Sequence, residues 1–318
     1  MKGTAIGEVH LPRLLPFTRR LFALILVSAA VLNFEVVLTR HIAITHWHHL
    51  TTVVIAIALL GFGMGGSIAT VVTQRLKRAP QSWLPALAST ACISFVLSQL
   101  LALHIPLNML ALPWHINQYA YLLVYAMCWL PPFLFSGLFI VATFICWPNE
   151  IPKLYGADLL GAALGAVLAI ALLESNHFLW AFKLSPALAL LAALLCLSWP
   201  PSEKWLVVFG LLCLLVLVQY QPNTTANAFK SESIRLNEAD AEKLWQHDSA
   251  DSRLSILKTP GQHASPGQSI NSSLGPLKQW QLYIDGDHSI PLLLSGANKQ
   301  TTSVLTQSIH AAPYQIMA

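Results

Sequence analysis

The chain has 318 residues, of which 55% are hydrophobic and only 10% are charged. Soluble domains carry about 25% charged residues, so this composition excludes an ordinary soluble enzyme and indicates an integral membrane protein. The formal net charge of +4 is interpreted as a membrane-topology signal. The expected partner is therefore the lipid bilayer, and no nucleic-acid partner is expected.

Seven apolar segments follow a short N-terminal arm of residues 1–18. Each is close to the ~20 residues that a bilayer requires, which predicts an all-α integral membrane helix bundle of about seven transmembrane helices. The fourth segment should be kinked or broken, because Pro131 and Pro132 remove backbone donors and clash with the preceding turn. The predicted bundle occupies residues 19–220, with spans at 19–38, 50–73, 83–103, 119–147, 155–174, 178–199 and 205–220.

Basic residues alternate between the two sides of these spans. They precede the first span and follow the second, fourth and sixth spans, whereas the alternate loops hold only Arg40 and no lysine. The positive-inside rule therefore predicts a cytoplasmic N-terminus. Seven spans would put the C-terminal tail outside, and one miscounted span would put it inside.

Residues 221–318 form a polar tail that we predict to be a small soluble, β-rich region with an incomplete β-meander. A short helical pattern covers Glu238 to Gln246. Ser252 to Lys258 and Gln279 to Ile284 have the pattern of strands. The Asp285-Gly286 dipeptide indicates a turn, after which Ser289 to Leu294 could return as a hairpin partner.

Two pairs of glycines predict close helix packing. Gly61 and Gly65 lie in the second span, and Gly161 and Gly165 lie in the fifth. Small residues four positions apart remove side-chain bulk from one helix face, so that a second helix backbone can approach it. The glycine-rich run of the second span also resembles a dinucleotide-binding loop, but that interpretation fails because the run follows an apolar helix rather than a strand.

Glu35, Asp158 and Lys183 are the ionisable residues that lie clearly within predicted spans. Such residues usually face protein or water, because a charge in the hydrocarbon costs about 3 kcal/mol on insertion scales. The three could line a polar path through the bundle. Alternatively, they lock helices together, or their side chains extend towards the nearer membrane surface.

Other polar clusters give weaker signals of chemistry. Four histidines follow the first span and could contribute to a metal site, but an interfacial loop explains them without a ligand; they are His41, His46, His48 and His49. A turn explains a second trio at least as well as a site does, namely Asp285, Asp287 and His288. The five cysteines lie in apolar segments without CxxC spacing, which predicts neither a disulfide framework nor a zinc site.

Three stretches together resemble the membrane-embedded spermidine synthase-like proteins, which are multi-pass bacterial proteins. They are NFEVVLTR at residues 33–40, LLGFGMGGS at 59–67 and YGADLLGAALGA at 155–166. The tail segments SRLSILK, LYIDGD and AAPYQI resemble the β-region and the run-in to that family's nucleotide-binding domain. The resemblance implies a bacterial inner-membrane location and an aminopropyltransferase-like domain, separate or downstream, as partner.

The chain departs from that family where the chemistry should lie. It stops at Ala318, where the family's cofactor-binding strand and glycine-rich loop should begin, and it lacks the Asp-Glu and Tyr-His-Glu motifs of soluble spermidine synthases. We therefore predict no catalytic, metal-binding or cofactor-binding residue in this chain, whether or not it belongs to an enzyme. The resemblance implies a membrane domain that anchors or positions a catalytic half. The alternative is a small transporter or channel-like protein that uses Glu35, Asp158 and Lys183.

Overall fold

A computed structural model describes residues 16–197, 204–219, 227–259 and 279–293 of the chain. This part is mostly helical and carries a small sheet near its C-terminal end. Its α-helices are α1 (Phe17–Thr45), α2 (Thr51–Val71), α3 (Thr73–Arg78), α4 (Pro80–Ala102), α5 (Asn117–Cys128), α6 (Leu130–Cys146), α7 (Ile151–Glu174), α8 (Phe178–Cys196), α9 (Lys204–Gln219) and α10 (Ser231–Leu236). Its strands are β1 (Glu242–Asp248), β2 (Arg253–Lys258), β3 (Gln279–Ile284) and β4 (His288–Leu293).

Six apolar helical stretches in this part, with α5 and α6 counted together, are long and apolar enough to cross a membrane. They match the first six predicted spans. The seventh predicted span corresponds to α9, which is apolar but has only 16 residues. At 1.5 Å per residue, α9 is about 24 Å long, which is short of the hydrocarbon thickness of about 30 Å.

The predicted interruption of the fourth span is confirmed. Helix α5 ends at Cys128 and α6 begins at Leu130, so the break falls at Trp129. Pro131 and Pro132 then occupy the first turn of α6, where backbone N–H groups have no partner within the helix in any case. The Trp129 side chain at this junction is buried inside the bundle.

Helix α1 is the central element of the bundle and packs against α2, α6, α7 and α8. It continues to Thr45 rather than ending at Leu38 as predicted, because Ile42 and Ile44 are buried in the core and extend its packed length. Arg40 and His41 therefore lie inside the helix. The prediction that His41 belongs to a loop is wrong.

The aromatic core is centred on Phe34 of α1, which is fully buried. Its ring lies 4.8 to 6.1 Å, between centroids, from four rings on α4, α8, α6 and the α5–α6 junction. Those rings belong to Phe95, Phe182, Phe133 and Trp129. Edge-to-face and tilted ring pairs contribute about 0.5–1.5 kcal/mol each beyond burial, so this cluster joins four helices at one point.

The two ends of the bundle carry different groups. At one end, which we call the basic end, Arg20 of α1 pairs with Glu150 before α7 at 2.9 Å and stacks on Trp147. Further basic residues lie near the helix termini at this end; they are Arg19, Arg75, Lys77, Arg78 and Lys153. At the other end, which we call the sheet end, Asn176 after α7 hydrogen-bonds to β1.

The sheet is an antiparallel meander in the order β1-β2-β3-β4. Strands β2 and β3, the turn at Asp285 and the return strand β4 follow the sequence-based prediction closely. The helical pattern predicted from Glu238 to Gln246 is wrong, because residues 242–248 pair with β2 instead. Pairing with a neighbouring strand overrides weak local propensity, and the short helix of this region lies earlier, at α10.

Candidate functional site

The predicted packing glycines lie at close helix–helix contacts. Gly61 and Gly65 of α2 face the backbone of α6, and Gly161 and Gly165 of α7 face α1 at Ile25 and Ala29. A Cβ atom added at any of the four glycines would come closer than 3.0 Å to an atom of the partner helix. These contacts set the spacing between helices.

Asp158 lies on α7 next to the α1 contact, where the Ser28 hydroxyl donates a hydrogen bond to its carboxylate. Both residues line a cavity of about 200 Å³ whose other walls include Phe62 and Gly137. The carboxylate therefore faces protein, as the cost of burying it requires. The Ser28–Asp158 hydrogen bond joins α1 and α7, and the cavity beside it lies between the four helices α1, α2, α6 and α7.

Glu35 and Lys183 occupy other positions. Neither lines the cavity beside Asp158. Lys183 of α8 is buried, and its ammonium group lies 5.4 Å from the centre of the Trp180 ring. Glu35 of α1 is partly exposed. Asp158 is also partly exposed, and of the three predicted intramembrane residues it is the one that lines this cavity.

The four histidines after the first predicted span separate into two pairs. His41 is buried and packs against the Phe182 ring with 5.2 Å between centroids, and His46 packs against Tyr125 at 5.0 Å. His48 and His49 are exposed and lie beside each other. Among the residues that the structure describes, no group of three His, Cys, Asp or Glu side chains could hold a metal ion.

The most connected polar site lies where α1 meets the turn between β3 and β4. Arg40 of α1 donates two hydrogen bonds to the Asp285 carboxylate, at 2.9 and 3.3 Å, and a third at 3.0 Å to the Asp251 carbonyl. The backbone N–H of Arg253 also donates to that carboxylate, at 2.8 Å. We call the set of Arg40, Lys230, Arg253 and Asp285 the clamp.

Lys230 completes the clamp from the segment before α10. Its side chain is 1% exposed, and its ammonium group donates hydrogen bonds of 2.6 Å to the carbonyls of Ala43 and Asp285. One lysine thus holds the end of α1 and the β3–β4 turn together. A buried ammonium group is stable only with such partners, because its desolvation costs several kcal/mol.

The charged groups of the clamp influence one another's pKa values. Burial by itself would raise the pKa of Asp285, but the hydrogen bond and the charge of Arg40 outweigh burial and hold that pKa below its ordinary value. Burial lowers the pKa of Lys230 to about 8, although Asp285, Asp287 and Glu232 oppose that change. Near neutral pH the clamp therefore combines three buried cations, Arg40, Lys230 and Arg253, with an ionised carboxylate.

The backbone of the turn makes the clamp possible. Asp285 has a φ of 51° and Gly286 a φ of 74°, values that aspartate and glycine tolerate better than other residues. The turn explanation of Asp285, Asp287 and His288 therefore describes their backbone correctly, but it missed the pairing of Asp285 with Arg40. Asp287 accepts a bond from Ser231, and His288 begins β4.

A second set of contacts fixes the sheet to α7. The Asn176 side chain accepts a hydrogen bond from the Asp248 N–H at 2.9 Å, and the Glu174 carboxylate accepts one from the Ala250 N–H at 3.0 Å. Asn176 has a φ of 59°, a left-handed conformation that ends α7. The sheet is therefore held at two places on the bundle.

Comparison of the chain with family models, curated proteins and solved structures gave no match. The sequence patterns did not indicate the clamp because its members lie far apart in the chain, with Asp285 245 positions after Arg40. Two signals were nevertheless present. Arg40 ends the stretch NFEVVLTR and Asp285 lies in LYIDGD, and the fold brings these two stretches into contact.

Proposed function

We propose that the chain is a multi-pass membrane platform that positions an aminopropyltransferase-like domain, separate or downstream, through its clamped C-terminal sheet. The observation that carries this proposal is the clamp. A sheet tied to α1 by buried charges has a fixed position relative to the bundle, which a flexible tether would not give. The two stretches that the clamp joins are also among those that resemble the spermidine synthase-like proteins.

The proposed topology has seven crossings, with α9 as the last. The sheet docks at the end of the bundle opposite the basic residues, so the positive-inside rule places the sheet on the non-cytoplasmic side. A domain held there would take its substrates from that side. Alkaline phosphatase fused after the sheet should be active, and a fused green fluorescent protein should be dark; the reverse pattern would contradict this topology.

The positioning role can be tested by co-purification. The encoding DNA would first be read past codon 318 and in the adjacent frames for an apolar strand followed by a glycine-rich loop. The encoded domain would then be co-expressed with the full chain. We expect Asp285→Asn to reduce its recovery and Glu150→Gln at the basic end to leave it unchanged. Equal recovery with both variants, or the lack of any such frame, would overturn the proposal.

The alternative function is that of a small transporter or channel-like protein. The observations that favour it are the cavity beside Asp158 and the interruption between α5 and α6, since broken helices line substrate sites in many transporters. In proteoliposomes, neutralising Glu35 and Asp158 should then abolish solute flux. Under the platform proposal, the same substitutions would lower stability without affecting any flux.

A further inference from the structure

A second cavity, of about 330 Å³, lies at the sheet end between α1, α4, α5 and α8. Asn227, just before the sheet region, contributes to its wall. The volume falls within the range of about 300–1,000 Å³ that is typical of small-molecule sites. None of the clamp residues lines this cavity, so it is a separate feature of the same end.

Three residues that line this cavity have buried polar atoms without a hydrogen-bond partner in the described part of the chain. The atoms are His41 Nδ1, the Tyr125 hydroxyl and Trp129 Nε1. The three side chains are 8%, 5% and 2% exposed, respectively. Tyr125 and Trp129 are close enough for a weak hydrogen bond between their side chains, but its geometry is poor, so neither atom has a well-formed partner.

These unpaired atoms point to an occupant. Leaving a buried donor or acceptor unsatisfied costs about 1–3 kcal/mol, and native structures rarely leave several at one place. Water or a ligand with matching groups would remove this cost. Trp129 can only donate, Tyr125 can donate or accept, and the role of His41 depends on its tautomer.

The aromatic lining of the cavity favours a ligand that carries a ring. Its walls contain the rings of His41, His46, Tyr125, Trp129 and Phe182. His41 lies against Phe182 and His46 against Tyr125, at 5.2 and 5.0 Å between centroids, while Tyr125 and Trp129 meet at 5.8 Å. Ring faces and edges pack best against another ring.

The charge around the cavity disfavours a cation. No Asp or Glu is among the described residues that line it. Burial, with a contribution from the charge of Lys230, lowers the pKa of His46 to about 4, so this ring is neutral at pH 7. Arg253 lies within electrostatic range of His41. An amine would therefore meet positive potential without a carboxylate partner, whereas a carbonyl or carboxylate oxygen would meet donors.

We propose that this cavity binds a flat organic molecule of one or two rings whose carbonyl or carboxylate oxygen accepts hydrogen bonds from Trp129 Nε1 and the Tyr125 hydroxyl. The ring lies among the aromatic side chains, and His41 supplies a further donor or acceptor. This site goes beyond the platform role, since it needs neither a second domain nor transport.

Three naphthalene probes with one ring system would test the site by calorimetry on the full chain in detergent micelles. They are 2-acetylnaphthalene, 2-naphthoate and 2-naphthylmethylammonium. The ketone or the carboxylate should bind saturably with a Kd below about 1 mM, and comparison of the two separates a neutral ligand from an anionic one. The ammonium probe should bind at least about tenfold more weakly.

Variants separate binding in the cavity from partition into the micelle. Trp129→Phe and Tyr125→Phe each retain a ring but lose one donor, and each should weaken binding by about tenfold, as expected for one hydrogen bond. Trp114→Phe is the matched control, because Trp114 is 82% exposed and lies outside the cavity. If one cavity variant fails to fold, the other still decides the result.

Three outcomes would overturn the proposal. In the first outcome, neither the ketone nor the carboxylate probe would bind saturably, which would mean that water alone fills the cavity. In the second outcome, the ammonium probe would bind as tightly as the other two probes, which would contradict the charge argument. In the third outcome, the Trp129→Phe and Tyr125→Phe variants would bind the probes as tightly as the Trp114→Phe control does, which would mean that the probes enter the micelle and not the cavity.

Discussion

The two ends of the helix bundle use charged residues in opposite ways. At the basic end most cations are exposed, and the Arg20–Glu150 pair is partly open to solvent, with the glutamate side chain 32% exposed. At the sheet end Arg40 and Lys230 are buried and both bind Asp285, whose side chain is 22% exposed: Arg40 binds its carboxylate and Lys230 its backbone carbonyl. Exposed pairs contribute about 0–1 kcal/mol, whereas breaking a buried pair costs about 3–5 kcal/mol. The basic residues at one end can therefore determine the orientation of the bundle, while the buried charges at the sheet end fix the position of the sheet relative to the bundle.

The largest loss of stability should come from separating α1 and α7, the two helices that run between the basic end and the sheet end. Gly165→Leu places a side chain against the α1 backbone at Ala29, which cannot move without shifting the whole helix. Overpacking of this kind costs about 3 kcal/mol or more. We expect loss of monodisperse protein on size-exclusion chromatography in detergent.

Gly156→Leu is the matched control for that substitution. Gly156 lies on the same helix, with nothing within 4 Å of an added Cβ atom. This variant should elute like the wild type. Equal loss of both variants would mean that α7 does not tolerate leucine for reasons unrelated to the α1 contact.

The next largest effect should distinguish the two ion pairs directly. Asp285→Asn keeps a side chain that tolerates the left-handed turn but removes the charge between Arg40 and Lys230, at a cost of up to about 3 kcal/mol. Trypsin should then cleave faster at Arg253 and Lys258 in β2. Glu150→Gln at the basic end should change the thermal midpoint by an amount equivalent to less than about 1 kcal/mol; similar shifts for the two variants would remove the contrast between the ends.

Acid should weaken the sheet end first. The pKa of His46 is about 4 in the folded chain, against an ordinary value of 6.5. The unfolded chain therefore binds the proton at a higher pH than the folded chain, and stability is lost as the pH falls from about 6.5 to about 4. This difference corresponds to at most about 3 kcal/mol.

The His46 contribution can be isolated with His46→Gln. The depressed pKa of Asp285 also removes stability on acidification, so the wild type alone would not assign the effect. Thermal midpoints measured between pH 7 and pH 4 should fall less steeply for the variant than for the wild type. Parallel curves would show that His46 does not titrate in this window.

The smallest effect concerns the second attachment of the sheet, at Asn176. Asn176→Gly removes the hydrogen bond to the Asp248 N–H but permits the left-handed backbone, so it should cost about 1 kcal/mol. Asn176→Ala adds backbone strain of about 1 kcal/mol or more. Chemical denaturation should rank the wild type above the glycine variant and the glycine variant above the alanine variant; an alanine variant as stable as the glycine variant would contradict the strain argument.

Local patterns predicted the elements of the fold better than their ends or their partners. Apolar length located the long helices, Pro131 and Pro132 located the break, and alternation located β2 and β3. The length of α1 was underestimated, because only its packing at the sheet end keeps residues 39–45 helical. Strand β1 was mistaken for helix, because its pairing with β2 is not encoded in its own residues.

The candidate sites depended even more on tertiary structure. Asp158 stood out because a carboxylate is rare in an apolar span, but nothing in the sequence indicated Ser28 as its partner. Arg40 stood out as a lone basic residue between spans and Asp285 as a turn residue, but nothing in the sequence indicated that the two would pair. The second cavity joins side chains from four helices, so no single stretch of sequence could have indicated it.

The position of α1 at the centre of the bundle has a consequence for the order of synthesis. This helix is made first, but the carboxylate that Arg40 requires is 245 residues further along the chain. At ribosomal rates of about 5–20 residues per second, Arg40 remains without that partner for about 12–50 s. The last strands of the sheet therefore supply the partner that the first helix lacks while the rest of the chain is being made.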